Sequence, residues 1–427
     1  MTLTIFLGSL LLAMAIGIPI SFALLVSGVA LMWHLDLFNA QIVAQNLIGG
    51  ADSFPLLAVP FFLLAGELMN QGGLSRRMVE FALALVGHIK GGLGYVTIVA
   101  GVFMSALSGS AVADAAALTA LLLPMMVAAG HAKERAAGLI ASAGCIAPVI
   151  PPSIGLVIFG VAANVSISKL FMAGIVPGLL MGVALWFTWA FVARKEDIVP
   201  PPRVPAGEVM KKFLACGWAL LLPVIILVGL RFGVFTPTEA AVVAAVYALL
   251  VSTVIYRELN PKQVFHVFMV AAKTTAVVMF LVAAAMVSAW LITVADLPGM
   301  VIKLLQPFID SPILLMALLM VLVLLVGTAM DMTPTILILT PVLMPLVRAA
   351  GIDPVYFGVL FIMNCAIGLI TPPVGVVLNV VAGVGRMTMD AVTRGAVPFM
   401  IAQYLLMFLM VLFPWLVTVP ARFLSGG

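Results

Sequence analysis

Two short polar stretches interrupt an otherwise apolar chain, and both carry residue types suited to holding ions. The first is Ser105-Ala-Leu-Ser108-Gly109-Ser110, continuing to Asp114; the second is Gly327-Thr328-Ala-Met-Asp331-Met-Thr333-Pro334. Each is followed by about a dozen apolar residues and then a proline, Pro124 or Pro345, which is too short for a bilayer crossing. A re-entrant helical hairpin fits both. The tip of such a hairpin bares backbone groups, tolerated at membrane depth only where protein or a water-filled cavity surrounds them. Free carbonyls and hydroxyls make a hard-oxygen cage for Na⁺, and helix N-termini present partial positive charge to an anion. Asp114 and Asp331 are candidates either for cation binding or for capping a short helix.

Each hairpin has a partner in the next apolar segment. These are Gly144-Cys145-Ile-Ala-Pro148-Val-Ile-Pro151-Pro152-Ser153 and Asn364-Cys365-Ala-Ile-Gly368-Leu-Ile-Thr371-Pro372-Pro373-Val374-Gly375. A double proline removes backbone donors and clashes with the preceding turn, so each span is expected to unwind in its middle. A single kink is ordinary in membrane helices. Paired breaks recurring in two halves instead point to a transporter's central site.

The elements that must position these residues are membrane helices. Hydrophobic residues make up 64% of the 427 positions and charged residues 8%, too few to cover a fold in water. Backbone polar groups in hydrocarbon must be satisfied internally, and the ten-residue alternation of a barrel is missing, so the fold is all-α. Eleven spans are expected, over about 3–33, 52–69, 92–106, 136–163, 169–193, 213–232, 236–256, 264–293, 312–327, 355–383 and 392–418. The run Thr2–Trp33 lacks the basic flank of a cleaved signal and reads as mature membrane helix. The net charge of +4 reflects basic residues in short cytoplasmic loops rather than nucleic-acid binding. Cys145, Cys216 and Cys365 lie in apolar segments and read as packing residues. His34, His88, His131 and His266 lack transition-metal spacing, and no nucleotide-binding lysine loop is present. Glu67 and Glu239 sit near span ends, and Lys273 reads as a snorkelling lysine, with contact to a substrate carboxylate as the alternative.

An offset of 221 residues carries Pro124 onto Pro345, Gly130 onto Gly351, Pro151-Pro152 onto Pro372-Pro373, and Val176-Pro177 onto Val397-Pro398. So many turn-forming residues in register indicate an internal duplication. Lys133 and Arg135 follow the first hairpin, whereas the counterpart loop Gly351–Asp353 has no basic residue, so the repeats are expected to be inverted. The first repeat covers 1–193, with hairpin 1 at about 105–127 and a broken helix at about 136–163. A cytoplasmic linker covers 194–212, with Pro200-Pro201-Pro202. The second repeat covers 213–427, with hairpin 2 at about 327–348 and a broken helix at about 355–383. Gly73–Lys90 and Asp296–Asp310 read as amphipathic helices lying along the membrane surface.

Ser108-Gly109-Ser110-Ala111, Pro151-Pro152-Ser153, Asp331 with Thr333-Pro334, and Thr371-Pro372-Pro373-Val374-Gly375, in this order, resemble the large membrane subunits of tripartite ATP-independent periplasmic (TRAP) transporters. The similarity extends to Pro60-Phe61-Phe62-Leu63-Leu64-Ala65-Gly66 and covers nearly the whole chain. The resemblance implies an elevator-type secondary transporter in the bacterial inner membrane that takes up small organic acids on a Na⁺ gradient, without a further cofactor. It also implies two partners, a separate small membrane subunit of about four helices and a periplasmic substrate-binding protein. By position, Ser105, Ser108, Gly109, Ser110, Gly144 and Pro148 would serve one Na⁺ site, and Gly327, Thr328, Asp331, Thr333, Asn364, Gly368 and Thr371 its twin. Substrate would lie between them, at Ser110, Pro151, Pro152, Ser153, Pro372, Pro373, Val374 and Gly375. Two other readings compete. One is a standalone ion-coupled carboxylate carrier; the other is an intramembrane aspartyl protease using Asp114 and Asp331, disfavoured because both acids sit on interrupted segments.

Overall fold

A computed structural model describes residues 2–194 and 202–426, and among the described residues every regular element is helical. The first repeat comprises α1 (Thr2–Ala15), α2 (Ile20–His34), α3 (Ala40–Ala51), α4 (Ala58–Gln71, entered through a 3-10 turn at Phe54–Leu57) and α5 (Leu74–Val86). It continues through α6 (Gly92–Ser108), α7 (Ala111–Ala128), α8 (Lys133–Gly144), α9 (Ile154–Ala163) and α10 (Ile167–Ala193). The second repeat comprises α11 (Ala206–Arg231), α12 (Pro237–Leu250, prolonged by a π turn at Val251–Ile255), α13 (Pro261–Val294), α14 (Leu297–Ile309) and α15 (Pro312–Ala329). It ends with α16 (Met332–Ala349), α17 (Pro354–Gly368), α18 (Val376–Gly385), α19 (Met389–Leu412) and α20 (Trp415–Ser425). Nine helical segments among the described residues are long and apolar enough to cross a membrane.

The duplication is visible in the helix boundaries. At the offset of 221, α7 lands on α16 end to end, and the bonds Pro151-Pro152 and Pro372-Pro373 are both cis. Between the two interrupted tips the chain runs through the broken pair α8–α9 and then α10, α11, α12 and α13, an odd number of passages. An odd number of crossings turns the second repeat over relative to the first, so the repeats are inverted.

Local chemistry corrects several expected boundaries. Thr2–Trp33 is two helices rather than one, α1 and α2 packed against each other. Gly17 takes a left-handed φ of 86° and Pro19 stands just before α2, which ends one helix and starts the next. Hydropathy misses this break because Ile16, Ile18 and Ile20 keep the stretch apolar. The span expected over 392–418 likewise stops at Leu412 and resumes as α20 beyond Pro414. Helix α11 begins at Ala206, so Ala206–Lys212 is helix rather than linker; the linker residues 195–201 lie outside the described residues. Helices α6 and α15 start where spans were expected, at Gly92 and Pro312, and run unbroken to Ser108 and Ala329. Helix α3 is an unanticipated element, capped by the Asn39 side chain accepting from the Gln41 amide at 2.8 Å.

The repeats interlock around the short helices. The Arg348 guanidinium, at the end of hairpin 2, donates to the Ala163 carbonyl at the end of α9 (2.8 Å). Lys133, after hairpin 1, donates to the Arg386 carbonyl at the end of α18 (3.3 Å). Each cation thus satisfies the terminal carbonyls of the opposite repeat's half-helix. Helices α8 and α19 approach backbone to backbone at Gly138 and Gly395, where neither position has room for a side chain.

Trp189 on α10 anchors the first repeat. It is fully buried, donates its indole N–H to the Gly91 carbonyl at 2.9 Å, and packs against the His131 and Phe399 rings. Trp189→Ala is expected to cost about 3–5 kcal/mol from the lost packing and the cavity left behind. A thermal-unfolding series of the detergent-solubilised protein checks this, with Trp189→Phe expected to be milder because an aromatic ring still fills most of the site, while the indole hydrogen bond and part of the ring volume are lost.

Candidate functional site

The first tip forms where α6 ends. Gly109 takes φ 60°, turning the chain so that Ser110 can cap α7, its hydroxyl accepting from the Ala113 amide at 3.4 Å. The Ser108 hydroxyl donates to Asp114 Oδ1 at 2.5 Å and accepts from the Ser110 amide at 3.1 Å. Asp114 is fully buried, and its Oδ2 has no hydrogen-bond partner. The Ser105 hydroxyl donates to the Gly101 carbonyl one turn back, at 2.6 Å.

The broken span α8–α9 lies against this tip. Helix α8 ends at Gly144, and a Cβ there would stand 3.0 Å from the Ala111 carbonyl oxygen. A Cβ at Gly109 would stand 2.5 Å from the Pro152 carbonyl oxygen and 3.1 Å from Ser153 Cα. The Ser153 hydroxyl donates to the Pro148 carbonyl at 2.5 Å and caps α9 through the Leu156 amide at 3.2 Å. Every residue from Gly144 to Ser153 is buried.

The second tip is built differently. Helix α15 ends at Ala329, Met330 is extended, and Asp331 caps α16 by accepting from the Met332 amide at 2.7 Å. The Asp331 carbonyl accepts from the Thr335 hydroxyl at 2.8 Å. The Thr328 hydroxyl donates to the Leu325 carbonyl, while the Thr328 carbonyl accepts from the Val374 amide of the facing break at 3.2 Å. A Cβ at Gly368 would stand 2.9 Å from the Gly327 carbonyl oxygen. Asn364 is fully buried, donates to the Met320 carbonyl at 2.6 Å, and leaves its Oδ1 without a partner. Thr333 is half-buried at the start of α16. Pro372, Pro373 and Val374 are exposed, unlike their buried counterparts at residues 151–153, and Gly375 turns the chain into α18 with φ 46°.

The two tips meet at the start of α9. A Cβ at Gly155, two residues past Ser153, would stand 3.1 Å from the Met332 sulfur, next to Asp331. Gly109, Pro152, Ser153, Gly155 and Met332 therefore form one continuous contact path, with the capped N-termini of α9 and α16 side by side. These N-termini can receive an anion, and the unspent oxygens of Asp114 and Asn364 can face a cation.

Two polar residues that the sequence reading passed over belong to this neighbourhood. Gln403, fully buried on α19, donates to the Ser142 carbonyl of α8 at 3.0 Å and leaves its Oε1 without a partner. Tyr404 shares a 3.0 Å hydrogen bond with the Thr371 hydroxyl, which also donates to the Ile367 carbonyl. A glutamine beside a tyrosine in mid-span was the available signal, since intramembrane polar groups are costly.

The remaining residues lie apart. Glu239 completes a capping box with Thr236 at the start of α12. Glu67 accepts from the Gln71 amide at 3.5 Å. The three cysteines are buried and free. Asp114 and Asp331 are each engaged within their own tip, by Ser108 and by the Met332 amide.

Fold and tips together define a multi-pass membrane permease built on a duplicated unit of hairpin and broken span. A family profile described as the tripartite ATP-independent periplasmic transporter, DctM component, matches residues 7–416. The chain belongs to this family of TRAP transporter large permease subunits. It is 57% identical over all of both chains to the 2,3-diketo-L-gulonate TRAP transporter large permease protein YiaN of Escherichia coli. It is 39% identical to the sialic acid TRAP transporter large permease protein SiaM of Vibrio cholerae, over 96% of each chain. In structure it is similar to the Alcanivorax borkumensis YdaH transporter, with a TM-score of 0.64 at 18% identity over 89% of this chain and 91% of that one, a likeness of fold alone.

Proposed function

We propose that this permease moves a small organic acid across the bacterial inner membrane in symport with Na⁺, after a periplasmic binding protein delivers it. The observation that carries this reading is the convergence of two tips, each lying against a broken span. Each half keeps a buried oxygen, Asp114 Oδ2 or Asn364 Oδ1, without a protein partner. Ser105, Ser108, Gly109 and Ser110 with Gly144 and Pro148 would offer oxygens to one ion; Gly327, Thr328, Asp331 and Thr333 with Asn364, Gly368 and Thr371 would serve another. The acid would lie between them, its carboxylate facing the N-termini of α9 and α16, lined by Ser110, Pro151–Ser153 and Pro372–Gly375. The relative at 57% identity favours a keto sugar acid as the cargo.

Hairpins and broken spans would travel together as an elevator against a scaffold formed by the other spans and a small four-helix subunit. Na⁺ couples to the cargo only by favouring the loaded geometry, because a ligand with no preference between states shifts nothing. The protein is then a carrier rather than an enzyme.

Proteoliposomes holding both membrane subunits, supplied with the binding protein and 2,3-diketo-L-gulonate, test this. An inward Na⁺ gradient should drive accumulation, and Ser110→Ala or Asp331→Ala should slow it about tenfold, the loss of one charge-assisted contact of about 1.4 kcal/mol. Accumulation indifferent to Na⁺, or unchanged in the double variant, would overturn the assignment.

A further inference from the structure

The first break reaches further back along its helix than its prolines require. Pro148 removes the amide that would bond the Gly144 carbonyl and crowds that carbonyl, but it leaves the Ile146 amide and the Ser142 carbonyl free to keep their α-helical bond. They do not keep it. The Ile146 amide donates to the Ala143 carbonyl at 3.2 Å and the Ala147 amide to the Gly144 carbonyl at 3.1 Å, so the chain has already tightened into three-residue turns. The Ser142 carbonyl is thereby released inside the protein, where a buried acceptor needs a partner. Gln403 of α19 provides one, its fully buried side-chain amide donating at 3.0 Å. A carbonyl only accepts, so the NH2 group must be the end of the amide that faces Ser142.

The second repeat shows the same span without that side chain. At the offset of 221, Ser142 falls on Met363, Ile146 on Ile367, and the position of Gln403 is held by Gly182. Gly182 has no donor to offer, and a Cβ there would stand 2.9 Å from the Val102 side chain. Helix α17 accordingly runs through Ile367 to Gly368, whereas α8 stops at Gly144, the counterpart of Cys365. Leu369 stands where the first repeat has Pro148. That exchange accounts for the Gly144 carbonyl but not for the bond given up between Ile146 and Ser142.

We propose that Gln403 is a positioning residue for the first cation site. By holding the Ser142 carbonyl it stops the Ile146 amide from rewinding α8, and so keeps Gly144 to Pro148 in the unwound form that frees their oxygens. The inference rests on the reading of Gly144 and Pro148 as part of a Na⁺ site. Without the amide, the Ser142 carbonyl is satisfied most simply by taking back the Ile146 amide, because no new partner has to be brought in. The cation then meets a displaced set of ligands, while the N-termini of α9 and α16 that face the acid stay where they are.

Two variants test this. Gln403→Met keeps the length of the side chain and removes the donor; Gln403→Asn keeps the amide on a stem one methylene too short. In proteoliposomes with both membrane subunits and the binding protein, at ionic strength held constant with choline, each should raise the Na⁺ concentration for half-maximal uptake about tenfold, while the maximal rate at saturating Na⁺ and the half-saturating concentration of the acid change by less than about twofold. Na⁺ titrations of thermal unfolding on the purified variants should show the same displacement without transport. If Gln403→Met is lost from the membrane fraction, Gln403→Asn gives the same two readings. A variant that unfolds more easily without Na⁺ yet responds to Na⁺ at wild-type concentrations overturns the proposal and makes Gln403 a packing residue. A wild-type chain neither stabilised nor driven by Na⁺ overturns the ion-site reading instead.

Discussion

Gly109→Ala is expected to lower Na⁺-driven uptake about a hundredfold while leaving membrane insertion intact. Gly109 holds φ 60°, a conformation that costs a residue with a Cβ about 1–2 kcal/mol. The added carbon would also stand 2.5 Å from the Pro152 carbonyl oxygen and 3.1 Å from Ser153 Cα, both on backbone that cannot swing aside. The tip must therefore withdraw from the break by a good fraction of an ångström, and Ser108, Ser110 and the α9 N-terminus lose their relative placement. Misplacing a binding constellation by about 1 Å can cost on the order of a hundredfold in rate. Initial uptake rates in proteoliposomes, normalised to inserted protein, measure this; a variant transporting at more than half the wild-type rate would show that the contact between tip and break is not needed for turnover.

Asp114→Asn carries the second large effect, on the ion rather than the cargo. The two side chains have the same shape, so the contact with Ser108 is retained while the full negative charge is lost. Asp114 is fully buried, Ser108 engages one of its oxygens at 2.5 Å, and the other has no protein partner. If that oxygen faces Na⁺, removing the charge should raise the Na⁺ concentration for half-maximal uptake at least tenfold, with little change in thermal stability. The opposite pattern, an unaltered Na⁺ dependence with a lowered unfolding temperature, would make Asp114 a cap for the tip and nothing more. Measuring both quantities on one preparation separates the two roles.

Much of the plan was legible in local chemistry. Double prolines at residues 151–152 and 372–373 cannot continue a helix, and both sit where the spans break. Ser108, Ser110, Thr328 and Asp331 mark the tips as polar residues in an apolar stretch, and Ser110 and Asp331 cap the helices that follow. The breaks at Gly17–Pro19 and Phe413–Pro414 were obscured because their neighbours are as apolar as the helices, and hydropathy averages over conformation.

The chain's composition and spacing alone determined a helical membrane protein, duplicated at a constant offset and interrupted at four matched places, since each of these follows from residue type and interval. Only the tertiary structure decided which residues from distant helices share the site. Gln403 reaching Ser142, Tyr404 meeting Thr371, and Arg348 capping α9 are contacts between segments far apart in the chain. It also decided that the first break is enclosed while its twin at Pro372–Val374 is exposed, an inequality between nearly equivalent sequences. The reason is physical: periodicity and propensity report the conformation of a few neighbouring residues, whereas burial and pairing depend on which other helices the folded chain brings alongside.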